Sequence, residues 1–347
     1  MADSYNQRMT TRNDQLLIIG PLLLAHAVDC KGKYFSEVLS GDGIFAAAGA
    51  KIWNDSVHLQ GRIGSDFPEH ALDELNRSGF DTDALIILPD SIHPRIFYEC
   101  TNQGIRRDSN AAVFFRTIER PLPKHFIHLP KAGFQLKGHK SYPHFTSRPE
   151  DIPESLWSSS ACLVVSEHYL AQISIPVFMK EKGVEYVVII PPGYCLQPDF
   201  KDELPVLFSG ITAPIISSSK LPYGVEFQSY SIREYSRSLC KHGCKFLVYT
   251  GAASGQLLWK QSSETLYHIP AYPGNVTDEM GASAAFAGGF LAGLTKTGDV
   301  LEAALYGSIS ASLAIEGTPA LHALDALPGL AEARLESLRG KILEVVL

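Results

Sequence analysis

Long apolar runs are absent from this sequence. Over 347 residues, no uninterrupted apolar stretch reaches the roughly 18 residues that a membrane helix needs. The longest candidate near the start, Leu16 to Ala27, is too short and follows a polar segment. Residues 1–14 lack the apolar centre of a signal peptide and read as a disordered tail. Excess positive charge is missing too. The formal charge is -7, which gives no reason to expect nucleic acid or an anionic membrane as a partner. Cysteine is scarce, with six residues, and only Cys240 and Cys244 are close together. One such pair with no second cluster is not a zinc-site pattern, so no metal is expected there. Unpaired cysteines point to a reducing, cytoplasmic setting.

What is present is the balance of a folded globule: 45% hydrophobic and 19% charged residues, with ample length for a large core. Leu16–Gly20 is a short apolar run ending in glycine, as expected of a buried strand entering a loop. Cys162–Val165, Tyr186–Ile190 and Phe246–Thr250 have the same character. The last two follow apparent helices, Pro176–Gly183 and Ile232–Gly243, that close on glycine. Strands alternating with helices of this length predict βαβ units and a mostly parallel sheet, hence the α/β class. Ala282–Gly293 and Val300–Glu316 read as two buried helices. Arg95–Cys100, a polar turn through Gly104 and then Ala111–Phe115 read as a hairpin. Residues 119–150 read as a solvated insertion. Its histidines (His125, His128, His139 and His144) match no ligand spacing.

The most informative stretch is Asp278-Glu279-Met280-Gly281-Ala282-Ser283-Ala284-Ala285-Phe286-Ala287-Gly288-Gly289-Phe290. A small-residue turn opening a helix points unpaired backbone N–H groups outward, where phosphate is favoured. In this stretch the sequence resembles the ribokinase-like, or PfkB, family of sugar and nucleoside kinases. The family signature is Asp-Thr-x-Gly-Ala-Gly-Asp-x-Phe-x-Gly-Gly-Phe, and Asp278, Gly281, Ala282, Phe286, Gly288, Gly289 and Phe290 match it in register. Ser40-Gly41-Asp42-Gly43, followed by Ala46 to Ala50, resembles the family's glycine pair opening an alanine-rich helix. Gly61-Arg62-Ile63-Gly64-Ser65-Asp66 resembles the next strand and turn. Thr250, Gly251 and Gly255 resemble the nucleotide loop, and Gly317 falls where the family's chain passes the adenine. The resemblance runs from about Leu16 to about Leu338. It implies a three-layer α/β/α sandwich over residues 15–347, with a small β lid from about 28–40 and 92–115. It also implies an anion hole at Gly281, Ala282 and Ser283, and ATP or ADP as cofactor, with magnesium only alongside the nucleotide.

The departures matter as much. The position of the family's general base, the last Asp of Gly-Ala-Gly-Asp, is Ala284 here, and a methyl group accepts no proton. Ser283 replaces the preceding glycine. The sugar-binding aspartate after the first strand is replaced by Ala25 or His26, and the sugar-binding asparagine by Phe45. The magnesium-organising Asn-x-x-Glu would fall at Ile216–Leu221, which holds neither residue. The leading expectation is therefore a pseudokinase that has lost phosphoryl transfer and retains nucleotide, small-ligand or protein binding. An active kinase of an unusual acceptor would need another base, with Asp42, Asp66 or Glu167 as candidates. A repurposed enzyme would use a pocket lined by His26, Gly41, Asp42, Phe45, Glu167 and His168, less polar because of Phe45. Because family lids often pair, the resemblance implies a homodimer, and an isolated lid would expose Ala111–Phe115.

Overall fold

The computed structural model describes residues 14–107, 109–127, 143–227 and 230–345. Apart from Asp14, the expected tail lies outside these residues, as do His128 and His139. A ten-stranded sheet forms the centre, in the order β14-β13-β12-β11-β10-β9-β8-β1-β4-β5. Its strands are β1 (Leu16–Ile19), β4 (Val57–Ile63), β5 (Leu85–Ile87), β8 (Ala161–Val165), β9 (Tyr186–Ile190), β10 (Ala213–Ser217), β11 (Phe246–Thr250), β12 (Gln256–Lys260), β13 (Thr265–Ile269) and β14 (Leu343–Glu344). From β5 through β11 every pairing is parallel, and β12 to β14 add an antiparallel edge.

Strands β1, β8, β9, β10 and β11 are buried on both faces almost throughout, which explains their apolar sequences. One face packs on α1 (Asp42–Lys51), α2 (Glu69–Arg77), α7 (Ala282–Thr297), α8 (Val300–Ala314) and α9 (Leu330–Leu338). The other packs on α4 (Tyr169–Glu181), α5 (Leu204–Phe208) and α6 (Tyr230–Cys240). This is the expected three-layer α/β/α sandwich. Helix α4 starts seven residues earlier than Pro176 suggested. His168 caps it by accepting from the Leu170 N–H, and Ala171, Ile175 and Met179 give it a buried stripe.

Helices α1 and α7 cross at backbone contact. A Cβ on Gly49 would lie 2.1 Å from the Ala285 carbonyl oxygen, and one on Gly288 would lie 1.9 Å from that of Ala46. The reciprocal glycine and alanine pattern thus sets the start of α7 against α1.

A second sheet, β3 (Tyr34–Ser40), β2 (Leu23–Val28), β6 (Arg95–Cys100) and β7 (Arg106–Arg107), forms the lid. The hairpin partner of β6 is therefore β7, and Ala111–Phe115 is not strand. It belongs to α3 (Ala111–Thr117), whose start is capped by the Asn110 side chain accepting from the Ala112 N–H. Phe114 and Phe115 pack on Tyr34 and Phe97 of the same chain's lid, and Phe115 is buried. Phe114 and Phe115 are thus covered by the same chain, while Val113 stays 55% exposed.

Candidate functional site

The turn before α7 places Gly281 at φ +76°, a left-handed conformation that suits glycine. The Phe45 ring of α1 lies flat against it. A Cβ at Gly281 would stand 2.0 Å from the Phe45 Cγ. Ala284, one turn into α7, is buried, as are Ala25 and Phe45. The Ala282 N–H is already bonded to the Glu279 carbonyl, and the Ser283 hydroxyl pairs with that of Thr250 at 2.6 Å. No carboxylate points into this turn from positions 281 to 284, where the family's base would stand.

The inner face of the lid closes on the same turn. Ala25, Ala27 and Tyr98 form a buried cluster with Met280 packed against it. Asp278 is buried and accepts four hydrogen bonds: from the Tyr98 hydroxyl (2.7 Å), the Thr318 hydroxyl (2.7 Å), the Met280 N–H (2.9 Å) and the Cys100 thiol (3.3 Å). Burial, then the neighbouring Asp278 charge, pushes both the Tyr98 and Cys100 ionisations upward, so both remain donors at neutral pH. Glu279 adds two contacts, donating its N–H to Gly104 and accepting from the Arg106 N–H. The lid is latched on the segment that precedes α7.

Of the other candidates, Asp42 meets the end of β8 next to Glu167 and His168, whereas Asp66 and His26 lie elsewhere in the lid region. Gly41 opens α1 at φ +99°. Asp42 accepts from the Ser166 hydroxyl at 2.5 Å, tying α1 to the end of β8. Asp66 accepts the N–H groups of Ile92 and His93 and pairs with Arg95, a turn-building role. Glu167 is buried beneath Ser147, whose hydroxyl donates to it at 2.8 Å. Burial raises its carboxyl to about 7, and the charge of Asp151 adds to the shift. His168 serves as the cap of α4. His26 lies on the outer face of the lid, away from Gly281, among Tyr34, Phe115, His125 and Phe126.

On the nucleotide side, the Gly251 N–H bonds to the Gly255 carbonyl, closing the expected turn. The Phe227 ring covers Gly251 and the His322 ring covers Gly317, each within 2.6 Å of where a Cβ would stand. The stretch expected to organise magnesium is the end of β10 and a 3-10 turn over Ser218–Lys220, with Ser217 and Ser219 hydroxyls paired at 2.8 Å. No carboxylate stands there. These residues do not fit a magnesium nucleotide held as the family signature implies.

The pfkB family carbohydrate kinase profile matches residues 217–326, the stretch that carries β11, the latch and α7. Over that stretch the chain is similar to the pfkB family of carbohydrate kinases. An uncharacterised protein of Schizosaccharomyces pombe is 24% identical over 327 residues, covering 83% of this chain and 81% of that protein. Arabidopsis thaliana ribokinase, solved with ribose and ATP, is 17% identical with a TM-score of 0.65, over 94% of this chain and 99% of that one. Aminoimidazole riboside kinase from Salmonella enterica, solved with aminoimidazole riboside and an ATP analogue, is 15% identical with a TM-score of 0.62, over 92% and 99%. At these identities the solved structures establish the fold.

Sequence reasoning missed Tyr98, Thr318 and Phe227, and read His125 only as part of a solvated insertion. Tyr98 was within reach, since an inward tyrosine on a lid strand needs a buried partner. The others meet their contacts only through the tertiary fold.

Proposed function

We propose that this protein does not transfer phosphate to a sugar or nucleoside, and that its family cleft has become structural core. The observation that carries this reading is the Phe45 ring seated on Gly281. That contact fills the space between the acceptor side and the anion hole, where an in-line transfer needs attacking oxygen and phosphorus together. Ala284 supports the same reading, because no base remains in the first turn of α7. Asp42, Asp66 and Glu167, the alternative bases, are each committed to a structural hydrogen bond. The latch at Asp278 supports a lid that holds the two layers together instead of opening for an acceptor. Helix α3 on the outer lid favours a self-contained lid over pairing between two copies.

The test is incubation with γ-labelled ATP, Mg²⁺ and pooled sugars and nucleosides at high protein concentration. We expect no labelled product, and no magnesium-dependent heat when ATP or ADP is titrated in. A labelled product would overturn the proposal.

A further inference from the structure

The outer face of the lid carries a cluster that no part of this reading uses. Alternation along β2 sends Ala25 and Ala27 inward and His26 outward. Its Nδ1 stands 2.5 Å from the Tyr34 hydroxyl, and its Nε2 stands 3.0 Å from Nε2 of His125. His125 arrives on a 3-10 turn, Lys124–Phe126, and its Nδ1 lies 4.0 Å from a Glu37 carboxylate oxygen. One donor atom from each of His26, Glu37 and His125 falls within 4.8 Å of the others.

Strand β3 is built to bring Glu37 there. Ala25 pairs with Val38 and Ala27 with Phe35, so Ser36 and Glu37 together oppose the single residue His26. Such a bulge re-aims a side chain. Glu37 itself sits at φ +50°, a conformation that a non-glycine residue seldom adopts.

We propose that His26, His125 and Glu37 bind one zinc-class divalent ion, with a fourth position left open to solvent. Two neutral imidazoles and a carboxylate are the donor set of three-ligand zinc sites. Bonds of about 2.1 Å in a tetrahedron put donor atoms roughly 3.4 Å apart. The two histidine nitrogens are close to that already, and rotation of the Glu37 carboxylate completes the set. Tyr34 on the far nitrogen of His26 fixes the ring's orientation, as outer partners of metal ligands do. Arg95 now bridges Glu37 (2.6 Å) and Asp66 (3.1 Å), and keeps Asp66 when Glu37 turns to the ion. The His125 and Glu37 side chains are 20% and 31% exposed, which leaves an entry path. Three separated segments supply the ligands, so no linear spacing announced them.

The experiment titrates Zn²⁺ into metal-free, full-length protein against a chromophoric chelator, and repeats it with Co²⁺ to record the ligand-field spectrum. We expect one ion per chain. His26→Asn and His125→Gln should each weaken binding at least about 100-fold, and Tyr34→Phe by about 10-fold to 100-fold. A Cys240→Ser, Cys244→Ser double variant should bind unchanged, and the Co²⁺ form should lack a sulfur-to-cobalt charge-transfer band. No saturable binding, unchanged affinity in His125→Gln, or a thiolate band would each overturn the proposal. His125 is partly exposed, so its variant remains informative where the variant of buried His26 fails to fold. Because the readout is metal affinity, it stands or falls separately from phosphate transfer.

Discussion

Tyr98 donates its phenolic hydrogen to Asp278 across 2.7 Å, joining two residues 180 positions apart. Tyr98 belongs to the lid, and Asp278 to the turn that aims α7. One carboxylate therefore takes hydrogen bonds from the lid through Tyr98 and Cys100, and from the loop beyond α8 through Thr318. An aspartate at this signature position acts here as the fastener of three segments.

Removing that bond should loosen the lid first. Tyr98→Phe takes a donor from a buried carboxylate, at a cost of about 1.5–3 kcal/mol, read by chemical denaturation. Hydrogen exchange should quicken in β2 and β6 while β8 to β11 keep their protection. Uniform acceleration across both sheets would show that the lid is no separate unit.

Restoring the base should not restore the kinase. General-base catalysis is worth about 10² to 10⁴ in rate when the rest of a site is assembled. Here the Phe45 ring lies against Gly281, and Ile216–Leu221 holds neither Asn nor Glu. We expect no label transfer from Ala284→Asp, and none from Ala284→Asp combined with Phe45→Asn. A large gain from the single change would show that the cleft is otherwise intact.

The contact between Phe45 and Gly281 can be weighed directly. Gly281→Ala drives a methyl group into the ring and strains a left-handed residue, at a cost of roughly 2–5 kcal/mol. Phe45→Ala leaves a cavity and costs about 3–5 kcal/mol. In the double variant the new methyl enters that cavity, so the two losses should fall short of their sum by at least about 1 kcal/mol. Simple additivity would show that the two residues do not touch.

Much of this architecture is legible in the chain, and the illegible parts share a cause. The parallel strands announce themselves because both faces are buried, leaving apolar runs such as Tyr186–Ile190. The α7 segment is visible because Gly281 takes a left-handed turn and Gly288 a backbone contact that a larger residue would not permit. Ala111–Phe115 misleads because apolarity marks burial without naming the element. Asn110 as a cap decides for helix. His125 is illegible in a different way. Its partners, His26 and Glu37, lie about a hundred residues upstream, and only strand pairing and a bulge align them. Where the signal is local periodicity or a glycine contact, sequence suffices. Where three segments converge, the fold must be seen.

Two buried groups should give stability a masked dependence on pH. The folded pKa of Glu167, about 7, lies above its reference value of 4.5, so the folded state binds the extra proton between them. Stability therefore falls as pH rises through that window, and the full cost is present above about pH 7. In the metal-free protein, His26, faced by His125, Glu37, Arg95 and Tyr34, goes the other way: its pKa drops from 6.5 to about 4. Its contribution is complete above pH 6.5 and is lost as pH falls toward 4. The opposed slopes overlap between pH 4.5 and 6.5, so the wild-type protein should vary little there. Glu167→Gln removes one of them while leaving an acceptor for Ser147. Denaturation midpoints of that variant should climb with pH from 4.5 to 6.5. Above pH 7 the variant should exceed the wild type by up to about 3 kcal/mol. A variant that tracks the wild type at every pH would show that Glu167 ionises as freely as it does in water.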